Sequence, residues 1–241
     1  MKKLSLSGLL IRVFVPAAVL IILYLIIGIN CTFIPHILLF CMIGAVTMVS
    51  IELGIILFDS KRQFGRPSLK SAFADYQKLP VWQIILFGML FFGVAGIASV
   101  TIQPLENSLM SGLRTNLLSL LPTGFDWTNV DYLKSFSKAT LIFTCIFYGV
   151  FNIFLGPITE ELFFRGYLTS HFKRQNIGTP ILIAVLFSLY HFWLPFNNFF
   201  RIVIFVPMSI VVYKKKNIYI SIVFHCICNL FSVISFCLSV L

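Results

Sequence analysis

The chain has 241 residues, 59% of them hydrophobic and only 11% charged, with a mean hydropathy of +0.98. A soluble domain of this length cannot bury so much apolar surface, because its exterior has to be largely polar; lipid must be the solvent for most of it. The formal charge of +10 does not mark a nucleic-acid binder. The basic residues form short clusters between apolar runs rather than a stripe with interleaved aromatics.

The expected fold is an all-α polytopic membrane bundle of about seven helices. Apolar runs over 9–29, 36–58, 81–102, 139–158 or beyond, 180–196, 202–213 and 218–241 supply the spans. The start, Met-Lys-Lys before a long apolar stretch, is shaped like a signal peptide. The run 14–29 lacks a small-x-small cleavage site, so an uncleaved first span is expected. The sixth run is short, bounded by Arg201 and Lys214, and holds Pro207. It reads as a tilted, half-length or re-entrant helix.

With seven spans, Lys2, Lys3, the 61–78 loop, Lys173, Arg174 and Lys214 to Lys216 fall on one side. The other side holds only Arg114, Lys134, Lys138 and Arg201. The positive-inside rule then puts the N-terminus in the cytoplasm of a multi-pass cell-membrane protein. Segment 103–138 is the one long external loop, with breakers Pro104, Gly112, Pro122 and Gly124 and then Phe125, Asp126 and Trp127. It reads as an interfacial segment on the outer leaflet. The chain divides into 1–138, with three spans and this loop, and 139–241, with the four spans that carry chemistry. The six cysteines lie in or beside apolar runs and form neither a disulfide framework nor a zinc knuckle.

Ionisable groups inside spans are functional candidates by default. Counted from the cytoplasmic entry of each span, His191 lies roughly 16 Å in, His225 roughly 10 Å, Asn229 roughly 16 Å and Glu160 roughly 15 Å. Three separate spans thus bring polar groups to a similar depth. Glu161 and Arg165 are four apart and share a helix face, as do His225 and Asn229. Gly156-Pro157, just before the glutamates, is a place for span four to break or kink.

Glu160-Glu161-Leu-Phe-Phe-Arg165, Phe187-Ser-Leu-Tyr-His191 and His225-Cys-Ile-Cys-Asn229 resemble the EExxxR, FxxxH and HxxxN motifs of the CAAX protease and bacteriocin-processing (CPBP, Abi) family of intramembrane glutamic endopeptidases. The resemblance covers 160–229, in the family's order. It implies peptide-bond hydrolysis by a water activated at Glu160, with His191 helping to hold that water. It further implies that His225 and Asn229 stabilise the oxyanion and that Glu161 and Arg165 form a supporting pair. A carboxylate in low-dielectric surroundings is a stronger base near neutral pH, and preorganised donors in a dry site stabilise a developing oxyanion.

Blander readings stand beside these. Glu161–Arg165 serves equally as a structural ion pair, Asn229 as an interhelical hydrogen bond, and Glu160 as a polar helix end. Glu52 has two open readings, a partner for Arg12 or an auxiliary acid. Phe187 is expected to pack, His171 to lie at the interface, and His36 outside. Glu160, His191 and His225 also offer the ligand types of a catalytic zinc. No HExxH pair accompanies them, and the expectation is no cofactor. The expected partners are a peptide or membrane-protein substrate and the bilayer. A non-proteolytic immunity or scaffold protein is the alternative outside the enzyme class. A transporter would carry internal repeats, and none is found.

Overall fold

A computed structural model describes residues 3–241, the side chain of Pro195 excepted; Lys2, counted above among the basic residues, lies outside them. No β-strand occurs among the described residues, which fold as a helical bundle with one isolated parallel bridge, Leu4 to Phe172. Its helices are α1 Leu6–Gly28, α2 His36–Phe64, α3 Val81–Ser119, α4 Val130–Lys134, α5 Lys138–His171, α6 Gly178–Leu189, α7 Asn198–Lys215 and α8 Tyr219–Val240. Five of them (α1, α2, α3, α5 and α8) are long and apolar enough to cross a membrane.

Local chemistry sets the ends. Ser5 accepts from Gly8 N at the start of α1, and Ser137 accepts from Thr140 N at the start of α5. Pro35 and Pro80 precede α2 and α3. Helix α2 stops where Gly65 turns left-handed (φ 75°), a conformation in which a Cβ would be strained. Along α1 and α3, Ile11, Ile26, Ile97 and Val100 are exposed on the outside, as lipid-facing positions require. Inside, one cluster of buried apolar residues runs from Leu9 and Leu20 through Phe163 and Phe187 to Phe224.

The expected seven spans resolve differently in the 180–216 region. Helix α6 has 12 residues and so is only about 18 Å long. It stops at Leu189, and the chain then runs through a turn and a short 3₁₀ segment, Pro195–Asn197, before returning as α7. The fifth run is therefore half helix and half turn, whereas the sixth is a full 18-residue helix through Pro207. Hydropathy alone cannot separate an apolar turn packed inside a bundle from the end of a helix.

The long loop also begins later than expected. Helix α3 continues through Pro104 and Gly112 to Ser119. Pro104 is exposed on its outward side, and a Cβ at Gly112 would meet nothing within 4 Å, so no neighbour opposes the helix there. The remainder, 120–137, folds back over the ends of α1 and α2. Trp127 Nε1 donates to the Tyr24 hydroxyl (3.0 Å), and Phe125 packs on Tyr24 and His36 with ring centroids 4.9 and 4.7 Å away. His36, expected outside, is buried in this layer with Nε2 against the carbonyl of Cys31 (2.9 Å).

The basic residues gather at the opposite end. Leu4 N donates to His171 O (2.7 Å), Lys173 N to Leu4 O (3.0 Å) and Gln77 N to Lys216 O (2.8 Å). Thus the N-terminus, the 65–80 loop, the α5–α6 turn and the α7–α8 turn share one end of the bundle. His171, expected at the interface, is buried there. Its Nε2 meets Gln63 Nε2 (3.1 Å) and its Nδ1 the carbonyl of Tyr167 (2.9 Å).

Candidate active site

Helix α5 carries the glutamates, and its backbone departs from α-geometry on both sides of them. Val150–Leu155 and Leu162–Leu168 are π-turns that bracket a regular turn, Gly156–Glu161. The helix neither breaks nor stops at Gly156-Pro157; the wide turn before it accommodates the proline ring. Each π-turn inserts a residue and re-aims the side chains beyond it, and such bulges recur at functional sites. Helix α2 has a third π-turn, Ala45–Val49.

Glu160 and Glu161 are 6% and 0% exposed. The Tyr190 hydroxyl donates to Glu160 Oε1. His191 Nε2 lies 3.9 Å from the same oxygen, and His225 Nε2 lies 3.7 Å from Oε2. One carboxylate is therefore ringed by a phenol and two imidazoles, borne by α5, by the turn after α6 and by α8. His191 Nδ1 is 2.7 Å from the carbonyl of Phe187. A carbonyl only accepts, so Nδ1 carries the proton and Nε2 of the neutral ring presents a lone pair toward Glu160.

Behind this ring lies a second layer. His225 Nδ1 donates to Glu161 Oε1 (2.9 Å), and Arg165 Nη1 donates to the same oxygen (3.1 Å). Arg165 Nε bonds Ser209 Oγ on α7 (3.2 Å). The guanidinium also stacks on Phe187 (4.1 Å to the centroid) and Phe205 (4.8 Å). A fully buried ion pair is tolerated only with such additional partners. Phe187, expected as packing, is the hub of this layer. Besides Arg165 it meets the rings of His191 and His225 edge-on, at 4.8 and 5.8 Å.

Five of the six residues singled out by sequence thus converge: Glu160, Glu161, Arg165, His191 and His225. Asn229 is on the same helix as His225, but its amide donates to the backbone carbonyl of Asn152 (2.7 Å) at the first π-turn of α5. That bond uses a carbonyl the wide turn leaves available. Arg12 pairs with Asp59 (3.8 Å), not with Glu52. Glu52 is wholly buried on α2, and neither carboxyl oxygen has a hydrogen-bond partner.

Sequence reasoning passed over two residues. Tyr190 sits inside the quoted motif next to His191; a buried phenol needs a partner, which was the available signal. Glu106 lies in what reads as loop. It is buried and accepts from Phe199 N (2.8 Å) and Phe200 N (2.7 Å), capping α7. Among the described residues, no set of three or more His, Cys, Asp or Glu side chains is disposed to hold a metal ion.

No curated protein and no solved structure matches the chain. A family model described as type II CAAX prenyl endopeptidase Rce1-like matches residues 142–231. The matched segment contains the carboxylate, both imidazoles, the supporting pair and Asn229. That segment is thus similar to the Rce1-like CAAX endopeptidases, membrane proteases of the CPBP group.

Proposed function

We propose that the protein hydrolyses a peptide bond of a membrane-associated substrate with a water held and deprotonated at Glu160. The observation that carries this reading is the ring of His191, His225 and Tyr190 around one buried carboxylate. The separations of 3.7 and 3.9 Å exceed direct hydrogen bonds and suit groups that act on a shared small molecule. A water donating one proton to Glu160 and the other to the His191 Nε2 lone pair is aligned by both. As it attacks the scissile carbonyl, its proton passes to Glu160 and negative charge moves to the carbonyl oxygen. His225, with Nδ1 fixed on Glu161, donates from Nε2 to that oxyanion when doubly protonated. Glu160 then returns the proton to the leaving amine. Asn229 acts as an oxyanion donor only if its amide leaves the carbonyl of Asn152, so its role in this scheme is to hold α8 against α5.

The site is read as facing the cytoplasm. The N-terminus and the clusters at 61–78, 173–174 and 214–216 meet at one end, and the positive-inside rule assigns that end to the cytoplasm. The α6–α7 hairpin begins and ends there, so the chain crosses an odd number of times whether the hairpin counts as two spans or none.

The reading is metal-free, and purified protein in bilayers tests it. Glu160→Gln should lower cleavage of a fluorogenic peptide library by about 10²–10⁴-fold, and strong chelation should leave the intact protein active. Unchanged turnover by the variant overturns the general base. Loss on chelation with recovery on added zinc overturns the metal-free form.

A further inference from the structure

We propose that a cavity at the basic end of the bundle binds the phosphate headgroup of an anionic phospholipid. The cavity has a volume of about 480 Å³ and lies between the N-terminus, the loop after α2, the end of α5 and the α7–α8 turn. Lys3, Lys214 and Lys216 line it, against a single acid, Asp75. Arg165 also lines it. Two of its guanidinium nitrogens are committed to Glu161 and Ser209, but Nη2 has no hydrogen-bond partner. A buried donor without an acceptor is uncommon and asks for an anion or water nearby.

Position and walls select the ligand. Helix α1 begins at Leu6, α7 ends at Lys215 and α8 begins at Tyr219, so the cavity lies where the spans leave the hydrocarbon, at headgroup level. Phe73, Tyr76 and Tyr213 supply aromatic walls, the residue types that favour this layer. Basic pockets between helices at this level suit anionic headgroups. Glu160, His191 and His225 do not line the cavity. The Arg165 side chain stands between it and Glu161, which separates it from the hydrolytic cluster. Lys215, whose ammonium lies 5.6 Å over Phe87, also faces elsewhere.

The test reads lipid retention, not turnover, and so stands apart from the peptidase reading. Full-length protein is placed in phosphatidylcholine nanodiscs with or without phosphatidylglycerol, and retained lipid is counted by native mass spectrometry. Lys3→Gln, Lys214→Gln and Lys216→Asn together should weaken phosphatidylglycerol retention by about fivefold per lysine. The matched change of Lys61, Arg62 and Arg66 to Gln, on the same end but outside the cavity, should leave retention intact. Equal loss in both variants, or loss in neither, overturns the site. Displacement by inorganic phosphate at matched ionic strength, or by a peptide with a free but not an amidated C-terminus, overturns the lipid assignment. If the triple variant loses its helical circular dichroism, Lys216→Asn alone is measured, with a fivefold loss expected; an unchanged value overturns the proposal.

Discussion

Tyr190 shows how much one hydroxyl matters in a dry site. It donates to the oxygen of Glu160 that also faces His191, so it fixes the carboxylate's orientation. Tyr190→Phe keeps the ring packing against Phe164, Phe187 and Trp193 and removes only the bond. A hydrogen bond to a charged group contributes about 1.5–3 kcal/mol. The variant is therefore expected to stay folded and to lose about tenfold or more in kcat with little change in KM. An unchanged kcat would assign Tyr190 to packing alone. Phe187 makes the complementary case from the apolar side. Removal of its ring unstacks Arg165 and frees both histidines at once, so Phe187→Ala should cost about 3–5 kcal/mol by thermal unfolding in detergent, and activity with it.

Helix α5 works as a positioning device because its turns are unequal. The π-turn 162–168 brings Gly166 against the loop after α2, where an added Cβ would meet the carbonyl oxygen of Ala72 at 2.5 Å. Backbone cannot yield as a flexible side chain does. Gly166→Ala should therefore destabilise by about 1–3 kcal/mol, read as a lowered melting temperature, and a wild-type melting curve would contradict the packing. Glu106 acts on the other arm. Through Phe199 and Phe200 it fixes the start of α7, while Arg201 Nη2 bonds Leu194 O (2.6 Å) and Ser188 Oγ bonds Asn198 O (2.7 Å). These bonds hold the turn that carries His191. Glu106→Ala removes a charged cap and should cost about 1–2 kcal/mol, measured in the same way.

At the scale of the molecule, lipid solvation was legible from composition, and the site from three short motifs whose spacing puts their members on shared faces. The helix ends were less legible. Pro104 and Gly112 read as breakers, yet α3 passes both, since nothing packs against those outward turns that would penalise a helix. Apolar 190–196 reads as span, yet it turns, because the carbonyl of Leu194 finds Arg201 only in three dimensions. Asn229 reads as a site residue from its spacing to His225, and only the π-turn reveals a free carbonyl for it. Orientation is testable at this scale. Alkaline phosphatase fused after Leu241 should be active in a bacterial host and inactive when fused after Arg66; the reverse pattern would invert the assignment of the basic end.

The central claim, hydrolysis at Glu160, is tested most directly by comparing membrane peptidomes of cells that carry the intact protein or Glu160→Gln at equal abundance. The account predicts that specific peptides disappear, and their uncut precursors accumulate, in cells with the variant. Indistinguishable peptidomes, with the cellular role of the protein retained, would contradict it and leave a membrane-embedded binding protein in its place.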